Sequence, residues 1–320
     1  MMRRLFQFCA LVFTMTVQAG TTVPTEFRDN RIFVRFPASD GRLIEWYTDS
    51  GGGINAVLDS TATALGLKER ETINLEGPAL TLVEFPRQAI KAGVPAPKAV
   101  PPLNGGLVRM LDIQREELSG ATGFLGSRWF AGRVWEFDYP SRTLSVHSRW
   151  KRRAGETVEP IGFIAPEKLD KQPVFGRLTV SIDGQTLDLL FDTGATITLT
   201  EVSAPVLGKK AGDRIGGSFI SAAVFDVWRR AHPDWRVIDV GDAIGNGAVP
   251  VIEVPAVTIA GHTVGPVWFA RRAVGNFEQW ISEAMDKPVV GGAGGSLLQY
   301  FHVVVDYPNG RAYFSRPARR

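Results

Sequence analysis

A long internal repeat limits what this chain can fold into more than any other feature of its 320 residues. Residues 121–148, ATGFLGSRWFAGRVWEFDYPSRTLSVHS, align without a gap to residues 289–316, VVGGAGGSLLQYFHVVVDYPNGRAYFSR. Each copy runs from an apolar stretch into Asp-Tyr-Pro, a turn and a last strand, which predicts a closing hairpin. A unit that occurs twice at this length predicts two related lobes.

A shorter repeat lies upstream in each copy. In residues 40–51 and again in residues 183–194, Asp-Gly is followed after seven residues by Asp-Ser-Gly or Asp-Thr-Gly. Asp-Gly favours a tight hairpin turn, so each copy predicts strand, turn, strand and then an acidic turn. Asp192 interrupts a run that is otherwise typical of a core strand, and a buried charge is costly unless it is paired. Either triplet alone is typical of an ordinary turn, but two copies in matching surroundings are hard to explain as incidental turns.

The spacing of the two repeats predicts an insertion in the second copy. The acidic turns are 143 residues apart and the closing hairpins 168, so the second copy carries about 25 extra residues. Ser218 is a candidate cap and Pro233 a candidate stop for one amphipathic helix in this insertion. Its apolar residues at helical spacing are Phe219, Ile220, Ala223, Val224, Val227 and Trp228. A shorter helix is predicted after Asn276, with Gln279 completing a capping box.

The predicted fold class is therefore mainly β and bilobal, with a helical insert in the second lobe. We expect the first lobe at 24–150 and the second at 156–320, joined by a basic segment. Residues 1–19 are typical of a secretory signal peptide: two arginines, an apolar stretch, then Val-Gln-Ala. The stretch is shorter than a bilayer span, although a membrane anchor is an alternative. We expect a secreted or periplasmic protein with no stable membrane insertion after signal removal.

Composition excludes several other classes of function. Removing residues 1–19 lowers the net charge from +3 to +1, which gives no support for nucleic-acid binding. The single cysteine, Cys9, lies in the signal, so the mature chain has no thiol nucleophile and no cysteine metal site. The four histidines lack metal-ligand spacing, and neither a nucleophile elbow nor a phosphate loop is present. We expect no metal and no cofactor.

Two acidic turns, each after an apolar strand and each followed by a glycine-containing hairpin, resemble those of the pepsin and retropepsin aspartic peptidases. The resemblance rests on residues 47–51 and 191–195 and on the later segments that end at Gly123 and Gly291. It implies a pepsin-like architecture of two retropepsin-like β-barrel lobes fused in one chain. The active site would then form within a single chain, which we expect to be a monomer.

The resemblance also implies roles for individual residues. Asp49 and Asp192 would be the catalytic pair, acting on a peptide or protein substrate bound as an added strand. The residues expected to brace the two loops are Ser50, Gly51, Thr193 and Gly194. The residues expected to contact substrate, including two candidate flap tips, are Trp46, Gly52, Gly77, Ala195, Gly245 and Gly247. Ordinary packing is the alternative for Trp46, and plain surface turns for the flap tips.

Three hypotheses for the function follow. The first is an aspartic endopeptidase that hydrolyses peptide bonds through a water activated by Asp49 and Asp192. The second is a catalytically inactive peptide-binding protein on the same fold, which the glycine-rich segments at Gly52 and 291–295 favour. The third is a structural β-protein in which both acidic turns are incidental. The natural substrate, side-chain preference, pH optimum and any zymogen step are not determined by the sequence.

Overall fold

The structure, a computed structural model, describes residues 20–74, 79–101, 103–110, 115–168 and 173–317. The predicted signal peptide, residues 1–19, lies outside the described residues. The described backbone is mainly strands arranged in several sheets, which confirms the predicted mainly β class. In this part of the chain, no helix combines the length and the apolar character needed to cross a membrane.

The strands and helices follow the repeat. The strands of the first copy are β1 (Thr21–Val23), β2 (Thr25–Arg28), β3 (Arg31–Pro37), β4 (Leu43–Thr48), β5 (Asn55–Leu58), β6 (Glu69–Ile73), β7 (Leu80–Val83), β8 (Leu107–Met110), β9 (Gly123–Leu125), β10 (Val134–Asp138) and β11 (Thr143–His147). Those of the second copy are β12 (Thr157–Pro160), β13 (Arg177–Ile182), β14 (Gln185–Phe191), β15 (Thr196–Thr198), β16 (Arg214–Gly216), β17 (Ser218–Ser221), β18 (Val237–Ile244), β19 (Gly247–Val254), β20 (Val257–Ile259), β21 (His262–Val264), β22 (Val267–Arg272), β23 (Gly291–Ala293), β24 (His302–Asp306) and β25 (Arg311–Ser315). The α-helices are α1 (Asp59–Leu65), α2 (Arg87–Lys91), α3 (Ser127–Phe130), α4 (Ser203–Val206), α5 (Ala222–Ala231) and α6 (Gly295–Leu298), and a π-helical segment spans Asn276–Ile281.

The first lobe is built on one sheet with the strand order β2-β3-β4-β9-β5-β8-β7-β6. The strand that ends at the first acidic turn pairs in parallel with β9, at Tyr47 and Phe124. On its other side β9 pairs antiparallel with β5, at Phe124 and Ala56. β5 then pairs in parallel with β8, at Ala56 and Val108.

The second lobe repeats this connectivity within a sheet ordered β18-β19-β22-β17-β23-β14-β13-β20-β21. Here β14 pairs in parallel with β23, at Leu190 and Gly292. β23 pairs antiparallel with β17, at Gly292 and Phe219, and β17 pairs in parallel with β22, at Phe219 and Ala270. The same mixed parallel and antiparallel pairing therefore lies behind both acidic turns.

A third sheet, ordered β1-β11-β10-β24-β25-β12, joins the two lobes. Its central pair is β10 against β24, the strands that lead into the two Asp-Tyr-Pro segments. In this antiparallel pair Glu136 lies opposite Val304, its own counterpart in the repeat, so a pseudo-twofold axis passes between them. The exact lobe boundaries, 24–150 and 156–320, stay a prediction.

One pair of repeated glycines, Gly123 and Gly291, allows close approach of neighbouring backbones. A Cβ on Gly123 would overlap the carbonyl oxygen of Ala56, and one on Gly291 would overlap that of Phe219. These contacts are equivalent in the two lobes, and only glycine leaves room for them. The glycines of the closing hairpins are therefore required by the packing of the strand behind each acidic turn.

The predicted helix in the second lobe needs a correction. Residues 218–221 form strand β17, and helix α5 begins only at Ala222. Ser218 does not cap a helix, because its hydroxyl accepts a hydrogen bond from the backbone N–H of Gly294. Pairing of β17 with both β22 and β23 outweighs the local helical spacing of Phe219 and Ile220.

The position of the insert also differs from the prediction. Helix α5 follows β17 as α1 follows β5, so it has a counterpart in the first lobe. Most of the extra residues instead lie before β17, where β15, α4 and β16 occupy 196–216. The second shorter helix is present as the π-helical segment from Asn276, but without a side-chain cap, so the capping box with Gln279 is wrong.

Candidate active site

Each acidic turn is held by the glycine-containing strand behind it. The backbone N–H of Asp49 donates to the carbonyl of Leu125 at 2.9 Å, and that of Asp192 donates to the carbonyl of Ala293 at 3.0 Å. Both aspartates directly follow a strand whose last residues pair in parallel with β9 or β23. The sheet therefore fixes the position at which each carboxyl group leaves the backbone.

Ser50 and Thr193 join the two turns by reciprocal hydrogen bonds. The N–H of Ser50 donates to the hydroxyl of Thr193 at 3.0 Å, and the N–H of Thr193 donates to the hydroxyl of Ser50 at 2.9 Å. The Ser50 hydroxyl also donates to the carbonyl of Phe191 at 2.7 Å, while that of Thr193 lies 3.5 Å from the carbonyl of Thr48. Because all these groups are buried, this network holds the two loops at one fixed separation.

The carboxyl groups of Asp49 and Asp192 come together across the lobe interface, where each lies beside the glycine of the opposite turn. Each also accepts a hydrogen bond within its own turn, from Gly51 to Asp49 at 3.1 Å and from Gly194 to Asp192 at 3.0 Å. Burial raises the pKa of both carboxyls, and the negative charge of Asp49 raises the pKa of Asp192 further. The pair therefore favours a state with one shared proton.

The glycines of the acidic turns make room for the opposite carboxyl group. A Cβ on Gly51 would lie 2.7 Å from the carboxyl carbon of Asp192, and one on Gly194 would overlap the carboxyl of Asp49. Any side chain at either position would push the two acids apart. The sequence predicted a bracing role for these glycines, and the structure gives them a steric one.

Tyr47 is a cross-lobe contact that the sequence reasoning missed. Its hydroxyl donates to the carbonyl of Gly194 and lies 2.8 Å from the hydroxyl of Thr196, while its ring packs on Phe33. Burial raises the pKa of Tyr47, and the charge of Asp49 adds to this, so the phenol stays protonated and able to donate. A tyrosine two residues before an acidic turn was the available sign of this role.

A cavity of about 350 Å³ opens beside the two carboxyl groups. Most of its wall comes from the second lobe, including the π-helical segment Asn276–Ile281, where Trp280 is 77% exposed. π-Helical turns often occur at functional sites. The lining residues are Asp49, Gly51, Leu190, Asp192, Gly194, Phe219, Arg272, Asn276, Phe277, Trp280 and Ile281. Apart from the acidic turn, the second-lobe side chains in this wall carried no motif that indicated a site.

Two of the predicted substrate contacts are wrong. Trp46 is fully buried and packs against Phe36 and Phe85, because strand alternation turns it with Ile44 toward the core. Ala195 is only 1% exposed, and its side chain packs in the core behind Asp192, so it does not reach the cavity.

The other predicted contacts have mixed outcomes. Gly52 lies next to the pair, since a Cβ there would come within 2.8 Å of an Asp49 carboxyl oxygen. Gly77 lies outside the described residues, between the paired strands β6 and β7. Gly245 and Gly247 lie at the turn of the β18–β19 hairpin and do not line the cavity beside the carboxyls. Flap roles for these three glycines stay a prediction.

Among the described residues, no cluster of three or more histidine, cysteine, aspartate or glutamate side chains could hold a metal ion.

The chain was compared with family models, curated proteins and solved structures. No family model matches the chain, and no curated protein matches it. Among solved structures, the chain is similar to an aspartic proteinase from Irpex lacteus at 10% sequence identity and a TM-score of 0.46. That alignment covers 94% of this chain and 98% of the proteinase.

Proposed function

We propose that this chain is an aspartic endopeptidase whose catalytic pair is Asp49 and Asp192. The observation that carries the proposal is that these two carboxyl groups come together beside an open cavity, each against the glycine of the opposite acidic turn. The hydroxyl–amide network of Ser50 and Thr193 supports it, because it keeps two like-charged groups close despite their repulsion. Incidental turns would have no reason to meet in this way.

The chemistry follows from the shared proton. Two carboxyl groups in contact cannot both ionise easily, so one is a base and the other an acid at the same pH. The base takes a proton from a water while the acid donates one toward the scissile carbonyl oxygen, and the water oxygen bonds to the carbonyl carbon. Because the groups titrate jointly, neither Asp49 nor Asp192 is assigned to one role.

The substrate in this proposal is an extended peptide segment that spans the cavity. Leu190, Phe219, Phe277 and Ile281 supply apolar surface to a substrate side chain. All the groups named in the mechanism belong to one chain, so the proposal needs no partner subunit.

Cleavage of an unfolded, fluorescently labelled protein tests the proposal. We expect hydrolysis by the mature chain, inhibition by pepstatin, and a loss of about a thousandfold in rate for Asp49→Asn and for Asp192→Asn. Circular dichroism of each variant checks that it folds. Equal cleavage by the parent chain and both folded variants would overturn the proposal. A folded parent chain that binds the unfolded protein without cutting it would select the peptide-binding alternative.

We also propose that residues 1–19 direct export and are removed. The charge and apolar pattern of this segment supports the proposal. N-terminal sequencing of the protein recovered from outside the cytoplasm is expected to begin at Gly20. A mature protein that begins at Met1 would contradict it.

A further inference from the structure

Among the described residues, the wall of the cavity beside the two carboxyl groups carries one positive charge, that of Arg272. Arg272, the last residue of β22, lies in its wall together with Phe219 and Phe277. Apolar rings around a single guanidinium make a pocket that is apolar along its length and cationic at one point. Such a pocket favours a side chain with an apolar stem and a negatively charged end, whereas a purely apolar subsite favours a side chain without charge.

Arg272 is held in a fixed position. Its guanidinium carbon lies 3.9 Å from the ring centroid of Phe219, and one terminal nitrogen donates to Asp242 at 2.7 Å. The other terminal nitrogen donates to the carbonyl of Arg271 at 3.1 Å. Asp242 is itself 1% exposed and accepts a further bond from the N–H of Thr198 at 2.8 Å. These contacts hold the guanidinium in place, because moving it would deprive the buried Asp242 of a hydrogen-bonded partner.

Arg272 also keeps donors for a ligand. A guanidinium carries five N–H groups, and the described residues accept from only two of those of Arg272. Arg272 lines the cavity whereas Asp242 does not. A molecule in the cavity therefore meets Arg272 rather than Asp242, the buried acid that its guanidinium contacts.

Comparison of the two lobes separates Arg272 from a structural arginine next to it. Arg109 in β8 and Arg271 in β22 occupy equivalent pairing positions. Each forms an ion pair with an aspartate on the helix that follows its partner strand, Asp59 in α1 or Asp226 in α5. This pair of arginines belongs to the duplicated framework.

The neighbouring position is not duplicated. In the second lobe Arg272 pairs with Ser221, and in the first lobe the equivalent residue, Met110, pairs with Leu58. The two sides of the catalytic pair therefore differ by one cation. Substrate residues on the two sides of the scissile bond are expected to meet different chemistry.

We propose that Arg272 is a specificity-determining residue that selects a substrate with a carboxylate side chain, glutamate above all, at one position flanking the scissile bond. This inference rests on the proposed peptidase function. The methylene groups of the side chain pack on the aromatic rings, and its carboxylate accepts hydrogen bonds from the free N–H groups of Arg272. A planar guanidinium donates two parallel hydrogen bonds to a carboxylate. An uncharged amide group binds the guanidinium more weakly, because it lacks the negative charge.

Matched peptides that differ only by Glu or Gln test the proposal. At pH 6 the parent chain is expected to show kcat/KM about tenfold higher for Glu at one flanking position, the effect of one charge-assisted hydrogen bond. The preference is expected to disappear as pH falls below about 4, where the substrate carboxyl becomes protonated. In Arg272→Gln, the ratio of kcat/KM for the Glu peptide to kcat/KM for the Gln peptide, the Glu-to-Gln ratio, is expected to fall to about one.

Arg271→Gln is the matched control, because it removes an adjacent arginine whose ion pair lies away from the cavity. This variant is expected to keep the Glu-to-Gln ratio of the parent chain. If Arg272→Gln fails to fold, the double variant Arg272→Gln, Asp242→Asn removes both buried charges and replaces it. An unchanged ratio in the folded Arg272 variant, or no Glu preference at any position, would overturn the inference.

The test of the Arg272 subsite can fail independently of the test of the peptidase activity. If the folded parent chain cuts no peptide, the peptidase proposal fails and the subsite is tested by binding instead. Fluorescence anisotropy with the same labelled Glu and Gln peptides is then expected to show tighter binding of the Glu peptide, lost in Arg272→Gln. Equal affinities would overturn the subsite by itself.

Discussion

At the scale of single residues, the site depends on small polar groups whose partners are far away in the sequence. Ser50 and Thr193 are 143 positions apart, yet each accepts a backbone hydrogen bond from the other. Both side chains are buried, so neither amide has water as a substitute partner. Loss of one hydroxyl therefore leaves a buried donor unpaired as well as removing a bond.

Thr193→Val tests this network, because valine keeps the shape and removes the hydroxyl. We expect a loss of about 1–3 kcal/mol in the free energy of unfolding, since the N–H of Ser50 is left without an acceptor. Urea denaturation measures the change. Thr193→Ser, which keeps the hydroxyl, is the control and is expected to lose less. Equal losses in both variants would show that the methyl group, and not the hydrogen bond, stabilises the turn.

Asp192→Asn is expected to make the chain more stable at pH 7 while it abolishes activity. The pKa of Asp192 is raised on folding, by burial first and then by the charge of Asp49. A carboxyl with a raised folded pKa stabilises the fold fully below its unfolded pKa, about 3.9, and this stability is lost as pH rises through the folded pKa.

Thermal unfolding across pH measures this difference. The melting temperature of Asp192→Asn is expected to exceed that of the parent chain at pH 7, and the difference is expected to shrink toward pH 4. A variant that is less stable than the parent chain at pH 7 would contradict the direction of the shift.

At the scale of secondary-structure elements, pairing between distant strands outweighs local periodicity. Residues 218–228 show helical spacing, but the first four join β17 because β22 and β23 offer hydrogen-bond partners on both sides. The helix then begins at Ala222. The glycines of β9 and β23 are part of the same arrangement, because their missing side chains allow β5 and β17 to lie close.

Gly291→Ala is expected to destabilise the second lobe by about 1–3 kcal/mol or to prevent folding, because the new methyl overlaps the Phe219 carbonyl. Gly247→Ala is the control: a Cβ there has its nearest neighbour at 4.0 Å. Its free energy of unfolding is expected to change by less than about 0.5 kcal/mol. Circular dichroism in a denaturant series compares the two. A Gly291→Ala variant as stable as the control would contradict the close strand approach.

At the scale of the whole molecule, a charged cluster joins the lobes within the central sheet. Glu136 accepts hydrogen bonds from His147 of its own lobe at 2.7 Å and from His302 of the second lobe at 2.8 Å. Burial pushes the pKa of Glu136 upward, but the hydrogen bonds and charges of the two histidines outweigh it and hold the pKa well below its usual range. The carboxylate therefore contributes to the docking of the two lobes.

Glu136→Gln is expected to lower the melting temperature at pH 6. A carboxyl with a depressed folded pKa stabilises the fold above its unfolded pKa, about 4.3, and this contribution is lost as pH falls toward the folded pKa. The difference between variant and parent is therefore expected to shrink below about pH 4. Differential scanning calorimetry at several pH values measures it, with the exposed Glu201→Gln as control. A constant difference at all pH values would contradict the ionised state of Glu136.

The sequence alone determined the duplication, the mainly β class and the two acidic turns, because repeats, turn residues and strand periodicity are visible in the order of the residues without any tertiary contact. The tertiary structure decided which side chains reach the cavity. Trp46 turned into the core and Tyr47 toward the second lobe because strand alternation has a period of two and the sheet fixes which face is inside. Arg272 lies beside Asp49 and Asp192 only because β17 and β22 pair in parallel, in a register set by residues about 50 positions apart.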